Sequence, residues 1–146
     1  MSTSLSLLVN RIPIRLRRAV IDILQESEQA GAIEMIVGGM FSGKTEELIR
    51  RIVRAKYANQ KFVVFKHPND SGRYDPVQLA SHGGIRIMAQ VVGTVKDMER
   101  LVNDDVVVIF IDEGQFYPRE LEGFARRQRA LGRRVVIAGL NMTFDE

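Results

Sequence analysis

Residues 33–45 read Ile33-Glu34-Met35-Ile36-Val37-Gly38-Gly39-Met40-Phe41-Ser42-Gly43-Lys44-Thr45. The last eight fit the pattern G-x-x-x-x-G-K-[ST] at every fixed position, and an apolar run of strand length comes before them. Gly43 to Ala58 then reads as a helix, so the motif lies in the strand–turn–helix setting that it requires. Glycines admit backbone conformations closed to other residues and turn successive N–H groups inward, which makes a concave cradle for phosphate oxygens. The helix that starts there adds first-turn N–H groups without intrahelical partners and the positive end of its dipole. Lys44 is placed to reach the outer phosphates, and the Thr45 hydroxyl is placed to ligate Mg²⁺. Gly38 to Thr45 is therefore a candidate nucleotide-phosphate site; the competing reading is a glycine-rich turn that matches four fixed positions by chance.

On both sides of the loop, from Ala32 onward, apolar runs of strand length alternate with helical stretches. Strands are expected at Ile33–Val37, Phe62–Lys66, Ile85–Val91, Val106–Ile111 and Val135–Leu140. Helices are expected at Gly43–Ala58, Val95–Val102 and Arg119–Leu131, the last closed by Gly132, with a long polar loop over His67–Gly84. The runs Val106–Ile111 and Val135–Leu140 do not alternate apolar with polar residues, the pattern of strands covered on both faces of a parallel sheet. The expected fold is α/β: a three-layer sandwich of the P-loop nucleoside triphosphatase type with a mostly parallel central sheet, plus an extra N-terminal helix. The expected division is 1–31 as an extension and 32–146 as the nucleotide-binding domain.

The chain has 146 residues, 45% of them hydrophobic and 27% charged, which suits one core. The absence of cysteine excludes a disulfide framework, a thiolate nucleophile and Cys-based zinc sites within these residues. No apolar run approaches the length of a membrane-spanning helix. The excess of 21 Lys and Arg over 18 Asp and Glu, a net +3, is too mild to name a partner. In the first thirty residues, Arg11, Arg15, Arg17 and Arg18 precede any acid and the opening is rich in serine, a composition shared with targeting peptides. Ile14 to Gln29 reads better as an amphipathic helix packed on the domain, with Leu16, Val20, Ile23 and Leu24 on one face and Gly31 as its stop.

A phosphate loop that handles Mg²⁺ needs a second carboxylate at the end of a buried strand. Asp112 and Glu113 directly follow Val106–Ile111. Asp112 is then the metal-side acid, and Glu113 is a candidate base facing the crevice at the carboxyl ends of the strands. The plainer alternative is that both acids cap the strand and its turn. Glu46 and Glu47 precede Arg50 and Arg51 by four residues and are read as surface ion-pair partners without chemistry. His67 and His82 are too few for a metal site, and His82 is read as ordering its loop.

Gly39-Met40-Phe41-Ser42-Gly43-Lys44-Thr45 followed by Glu47-Leu48-Ile49-Arg50-Arg51 resembles the opening of the type II thymidine kinases, the tetrameric cellular and bacterial group. Phe65-Lys66, Asp70, Arg73-Tyr74 and Ser81-His82 resemble that family's segment after its second strand, with Gly72 as an extra residue. Ile111-Asp112-Glu113-Gly114-Gln115-Phe116 is similar to its most distinctive signature, and Ala138-Gly139-Leu140 through Phe144 to the strand and turn beyond. The resemblance implies transfer of the γ-phosphoryl group of ATP to the 5′-hydroxyl of thymidine or deoxyuridine. It implies Glu113, Lys44 and Arg73 as catalytic residues, and Asp112, Glu113, Gly114 and Gln115 beside the loop as the cofactor site. Mg²⁺ would be held by Thr45, Asp112 and Asp70. Met40, Phe116, Leu140, Thr143 and Phe144 would line the nucleoside pocket, with core packing as the alternative for Leu140 above all. Also implied are ATP and Mg²⁺ as cofactors, a cytoplasmic homotetramer and no membrane partner.

Asn141 stands where the family commonly has an acid. The family's nucleoside-closing loop and its cysteine-paired zinc lobe would follow Glu146, so these residues hold no zinc ligands. The chain is accordingly expected to bind ATP better than thymidine, either as the amino-terminal portion of a longer kinase or as a shortened relative. Two other readings stay open: an ATP-binding module without kinase activity, and a nucleic-acid binder using Arg126, Arg127, Arg129, Arg133 and Arg134. For those arginines a solvated, dipole-complementing surface is the stronger reading.

Overall fold

The computed structural model describes residues 10–20, 31–39, 43–68, 78–81 and 83–144. The chain divides into two compact units, Met1–Ala30 and Gly31–Glu146. In the first, residues 14–20 are helical. The turn before that helix is held by Leu16 N–H on the Pro13 carbonyl at 2.9 Å and by the Arg17 guanidinium, which donates to the Ile12 and Asn10 carbonyls. The rest of the helix expected to run to Gln29 lies outside the described residues.

The second unit is built on a five-stranded sheet. Its elements are β1 (Ala32–Val37), α1 (Lys44–Tyr57), β2 (Phe62–Lys66), β3 (Gln78–Ala80), β4 (Arg86–Met88), β5 (Gln90–Val91), α2 (Val95–Leu101), β6 (Val108–Ile111), a 3₁₀ turn (Gly114–Phe116), α3 (Leu121–Ala130) and β7 (Arg134–Gly139). The sheet order is β1-β7-β6-β2-β5, and every pairing is parallel. β3 and β4 form a separate antiparallel pair. Parallel neighbours need crossovers; helices lie between β1 and β2, β5 and β6, and β6 and β7, whereas the segment from β2 to β5 carries the β3–β4 pair.

Alternation along each strand divides the core in two. Val63 and Phe65 of β2, Ile109 and Ile111 of β6, and Val135 and Ile137 of β7 pack with Val95 and Met98 of α2 and with Leu121, Phe124 and Ala125 of α3. The residues between them, Val64, Val108, Phe110, Val136 and Ala138, pack on the other face with Leu48, Ile49, Ile52 and Ala55 of α1 and Leu79 of β3. Both faces of the central strands are thus covered, which is why these runs are apolar without a break. The result is the expected three-layer α/β sandwich with a parallel sheet.

The helix ends follow local chemistry. Asn59, left-handed at φ 55°, closes α1, and Gly132 at φ 86° closes α3 as expected. Thr94 caps α2, its hydroxyl accepting from Asp97 N–H at 3.1 Å. β1 is an edge strand paired only with β7, and its residues are at most half-buried. Its Glu34 pairs with Arg134 of β7 and, at 3.7 Å, with Arg51 of α1, so the edge carries charge on its helix-covered side. Among the described residues, no helix is long and apolar enough to cross a membrane.

Two expectations need correction. The polar loop expected over 67–84 contains β3, whose Leu79 is fully buried beneath α1. The strand expected over Ile85–Val91 is two short strands serving different sheets. Arg86–Met88 pairs with β3, while Gln90 and Val91 pair with Phe65 and Lys66 of β2. The break falls at the buried Ala89. A seven-residue stretch without glycine or proline carries no local mark of a change of partner, and strands of three and two residues are too short to show a period.

Gly31 is where β1 approaches the end of α3. A Cβ there would lie 2.8 Å from the Arg133 carbonyl oxygen and closer still to that of Arg129, both backbone atoms that cannot swing aside. Gly31→Ala is expected to cost about 1–3 kcal/mol by overpacking. Gly83→Ala, whose Cβ would only touch the Ser81 hydroxyl at 3.7 Å, is expected to stay within about 0.5 kcal/mol of wild type. Urea unfolding of the two variants checks this; equal midpoints would contradict it.

Candidate active site

β1 and β6 both pair with β7, one on each side, and all three run the same way. The segments leaving Val37 and Ile111 therefore emerge at one edge of the sheet, two strand spacings or about 10 Å apart. The first segment is the candidate phosphate loop. Gly38 and Gly39 follow β1, residues 40–42 lie outside the described residues, and Gly43 introduces α1 in the left-handed conformation at φ 81°. A Cβ at Gly39 or Gly43 would meet nothing within 4 Å. At Gly43 it is thus backbone conformation, not crowding, that favours glycine. Gly43, at the N-cap of α1, makes no side-chain cap, so among the described residues no side-chain cap meets the first-turn N–H groups. The Lys44 ammonium crosses the loop and donates to the Gly39 carbonyl at 2.7 Å. Glu47 in the same turn pairs with Arg50 and, at 3.0 Å, with Arg51. The Arg51 hydrogen bond holds that carboxyl below the usual carboxylate range.

The second segment is the acid pair. Asp112 N–H donates to the Phe65 carbonyl at 3.0 Å, extending the β6–β2 ladder by one residue. The Asp112 side chain is 2% exposed, and its Oδ1 accepts from Glu113 N–H at 3.0 Å. Glu113 is left-handed at φ 54°, a conformation that costs a non-glycine residue about 1–2 kcal/mol. That residue turns the chain out of β6 into the 3₁₀ turn, closed by Phe116 N–H on the Glu113 carbonyl at 3.1 Å. Gly114 is pressed flat on β7, where a Cβ would lie 2.6 Å from Ile137 Cγ2 and 2.9 Å from Met142. Gln115 donates from Nε2 to Glu113 Oε2 and accepts at Oε1 from Leu140 N–H at 3.1 Å.

Phe116 is 38% exposed. Its ring lies beside that of His67, with centroids 5.0 Å apart, and His67 also meets Tyr117 edge-on at 4.9 Å. Beyond β7, Asn141 is left-handed at φ 44°, a conformation that asparagine tolerates better than most residues. Leu140 is half-buried and Thr143 exposed, while Phe144 packs with Met142 against the core beneath α2 and α3. Met40, Asp70, Arg73 and His82 lie outside the described residues.

Three residues near the acids were given no part in the site by the sequence. His67 joins Phe116 and Tyr117, as described. Lys66, 3% exposed, donates from its ammonium to the Gln78 carbonyl at 3.0 Å and ties the end of β2 to β3. The Tyr117 hydroxyl donates to the Val92 carbonyl at 2.6 Å. Only a three-dimensional pairing distinguishes such residues from an ordinary strand-end lysine or core tyrosine.

A groove of about 440 Å³ between α2 and α3 is lined by Lys96, Glu99, Arg119 and Arg127 among others, but by no residue of the loop or the acid pair. Among the described residues, no three His, Cys, Asp or Glu side chains gather as a metal cage. A hydroxyl at Thr45 and a single carboxylate at Asp112 fit the chemistry of Mg²⁺, which is commonly held by one or two carboxylates together with substrate phosphates.

The family model for thymidine kinase matches residues 31–146. The chain belongs to the thymidine kinase family. The match takes in both the phosphate loop of this thymidine kinase family member and its acid pair, and it begins where the second compact unit begins.

Tyr117 gives a pH-dependent test of the wall behind the acids. Burial first, and the Asp112 charge second, push its phenol well above the ordinary value. The folded state therefore favours the protonated phenol. Its contribution is complete below the unfolded-state value of about 10 and is lost as pH rises through the higher folded value. Tyr117→Phe also strips the Val92 carbonyl of its partner, an expected loss of about 1–2 kcal/mol at neutral pH. Denaturant melts from pH 8 to 11 should show wild-type stability falling at the alkaline end and a flatter curve for the variant; parallel curves would refute the coupling.

Proposed function

We propose that this chain transfers the γ-phosphoryl group of ATP to the 5′-hydroxyl of thymidine or deoxyuridine. One observation carries the reading: the phosphate loop and the acid pair leave the same end of one parallel sheet, from the strands on either side of β7. That arrangement suits a triphosphate in the loop with its outer phosphate between Lys44 and Glu113.

In this reading the N–H groups around Gly43 and the start of α1 bind phosphate oxygens. Lys44 exchanges the Gly39 carbonyl for an oxygen of the outer phosphates. Thr45 and Asp112 hold Mg²⁺, which when bound supplies charge neutralisation and orients the phosphates. Glu113 accepts the proton of the 5′-hydroxyl as its oxygen bonds to the γ-phosphorus and the bond from phosphorus to the β,γ-bridging oxygen breaks, releasing ADP. Such a base typically contributes about 10²–10⁴ in rate. Arg73 and Asp70 join this charge-balancing set by resemblance. Gly38, Gly39, Met40, Phe41 and Ser42 complete the cradle. Gly114 serves by lying close on β7 and Phe116 as a flat wall for the base, beside Met40, Leu140, Thr143 and Phe144. A homo-oligomer in the cytoplasm belongs to the same reading.

The nucleic-acid alternative is weakened by the arginines themselves. Arg126 pairs with Glu122, Arg127 with Glu99 and Arg134 with Glu34, while Arg133 donates to the Val106 and Asn103 carbonyls and to the Gln128 side chain. These four are engaged within the fold, while Arg129 is exposed.

Incubation with Mg·ATP and labelled thymidine tests the proposal. Thymidine monophosphate should form, and Glu113→Gln should slow it by about 10²–10⁴ while ATP binding persists. Lys44→Ala should weaken ATP binding itself. ATP binding without product, in the wild type, would make the chain a nucleotide-binding module instead.

A further inference from the structure

We infer that Gln115 is a positioning residue, which sets the Glu113 carboxylate and ties that setting to the end of β7. This inference rests on the kinase reading of Glu113, and it assigns Gln115 a task other than the nucleotide contact implied by resemblance.

Glu113 is left-handed, so its side chain leaves the chain outside the regular up–down alternation of β6, and the strand does not aim its carboxylate. Gln115 does so through two hydrogen bonds made by opposite ends of one amide. The Leu140 backbone N–H can only donate, so it fixes Oε1 as the atom facing β7. Nε2 is thereby turned toward Glu113 Oε2, to which it donates.

The room for this bridge is made by glycine. A Cβ on Gly139 would come within 2.9 Å of Gln115 Oε1. The Gly114 backbone, flush on Ile137 and Met142, holds the root of the Gln115 side chain close to β7. Both polar atoms of Gln115 are thus engaged within the protein, and each keeps one further hydrogen-bonding site, a second N–H and a second lone pair. Leu140, at the other end of the bridge, is a wall of the proposed nucleoside pocket. A shift of Leu140 toward or away from a bound base is therefore passed to the group that takes the hydroxyl proton. Orientation at this level matters, since a misplacement of about 1 Å can cost roughly 10²-fold in rate.

The full chain with Gln115→Ala and Gln115→Glu provides the test. Glutamate is isosteric and keeps an acceptor for Leu140 N–H, but it presents a carboxylate to Glu113 in place of a donor. Both variants should lower kcat about 10- to 100-fold, with KM for ATP within about twofold of wild type. Hydrogen exchange at the Leu140 amide should quicken at least about tenfold in Gln115→Ala and stay near wild type in Gln115→Glu. A raised KM for ATP with kcat intact would return Gln115 to the nucleotide site and overturn the inference, as would an unchanged kcat. Unchanged Leu140 exchange in Gln115→Ala overturns the bridge itself. A wild-type chain that makes no thymidine monophosphate overturns the kinase reading and the catalytic purpose of the bridge, a failure distinct from that of the bridge.

Discussion

β7 is the constraint on which the candidate site depends. It pairs with β1 along Ala32–Val37 and with β6 along Val108–Ile111 in fixed parallel register. Neither the glycine-rich loop nor the acids touch each other in sequence, and no helix joins their strands directly. Their common edge and their separation are set by a strand that arrives last and inserts between them. A slip of β7 by one residue would turn Val135 and Ile137 from one core face to the other, so two layers of packing enforce the register that spaces the chemistry.

Much of this was legible in the sequence for a simple reason. Buried parallel strands must be apolar on both faces, and Val108–Ile111 and Val135–Ala138 satisfy that requirement without interruption. The loop was legible because glycine at 43 meets a conformational demand that few other residues meet. The acids were legible because they follow a run that could only be a central strand. What could not be read was anything depending on partners distant in sequence. β3 and β4 are too short to show a period, and Ala89 marks a change of sheet without a turn residue. His67 was read as isolated because its neighbours, Phe116 and Tyr117, lie some fifty residues away and meet it only through the β2–β6 pairing. The glycine at 114 was readable as part of a signature, yet its physical cause, contact with Ile137 and Met142, belongs to the fold.

Charge is distributed in a way that composition conceals. Among the described residues, several arginines are engaged by the carbonyls of Asn103 and Val106 before β6 and by acids of α2 and α3. The loop's own positive character comes instead from backbone dipoles and one ammonium. A site built on backbone amides does not need a basic surface around it, which explains how a nearly balanced chain can still be suited to a highly charged ligand.

The left-handed backbone at Glu113 carries an evolutionary consequence. Glycine would occupy that conformation without strain and asparagine with less strain, so survival under heat alone pushes the position away from glutamate. A library of this chain selected only for resistance to thermal unfolding would drift toward glycine there. Its fittest members would keep the architecture and lose the carboxylate.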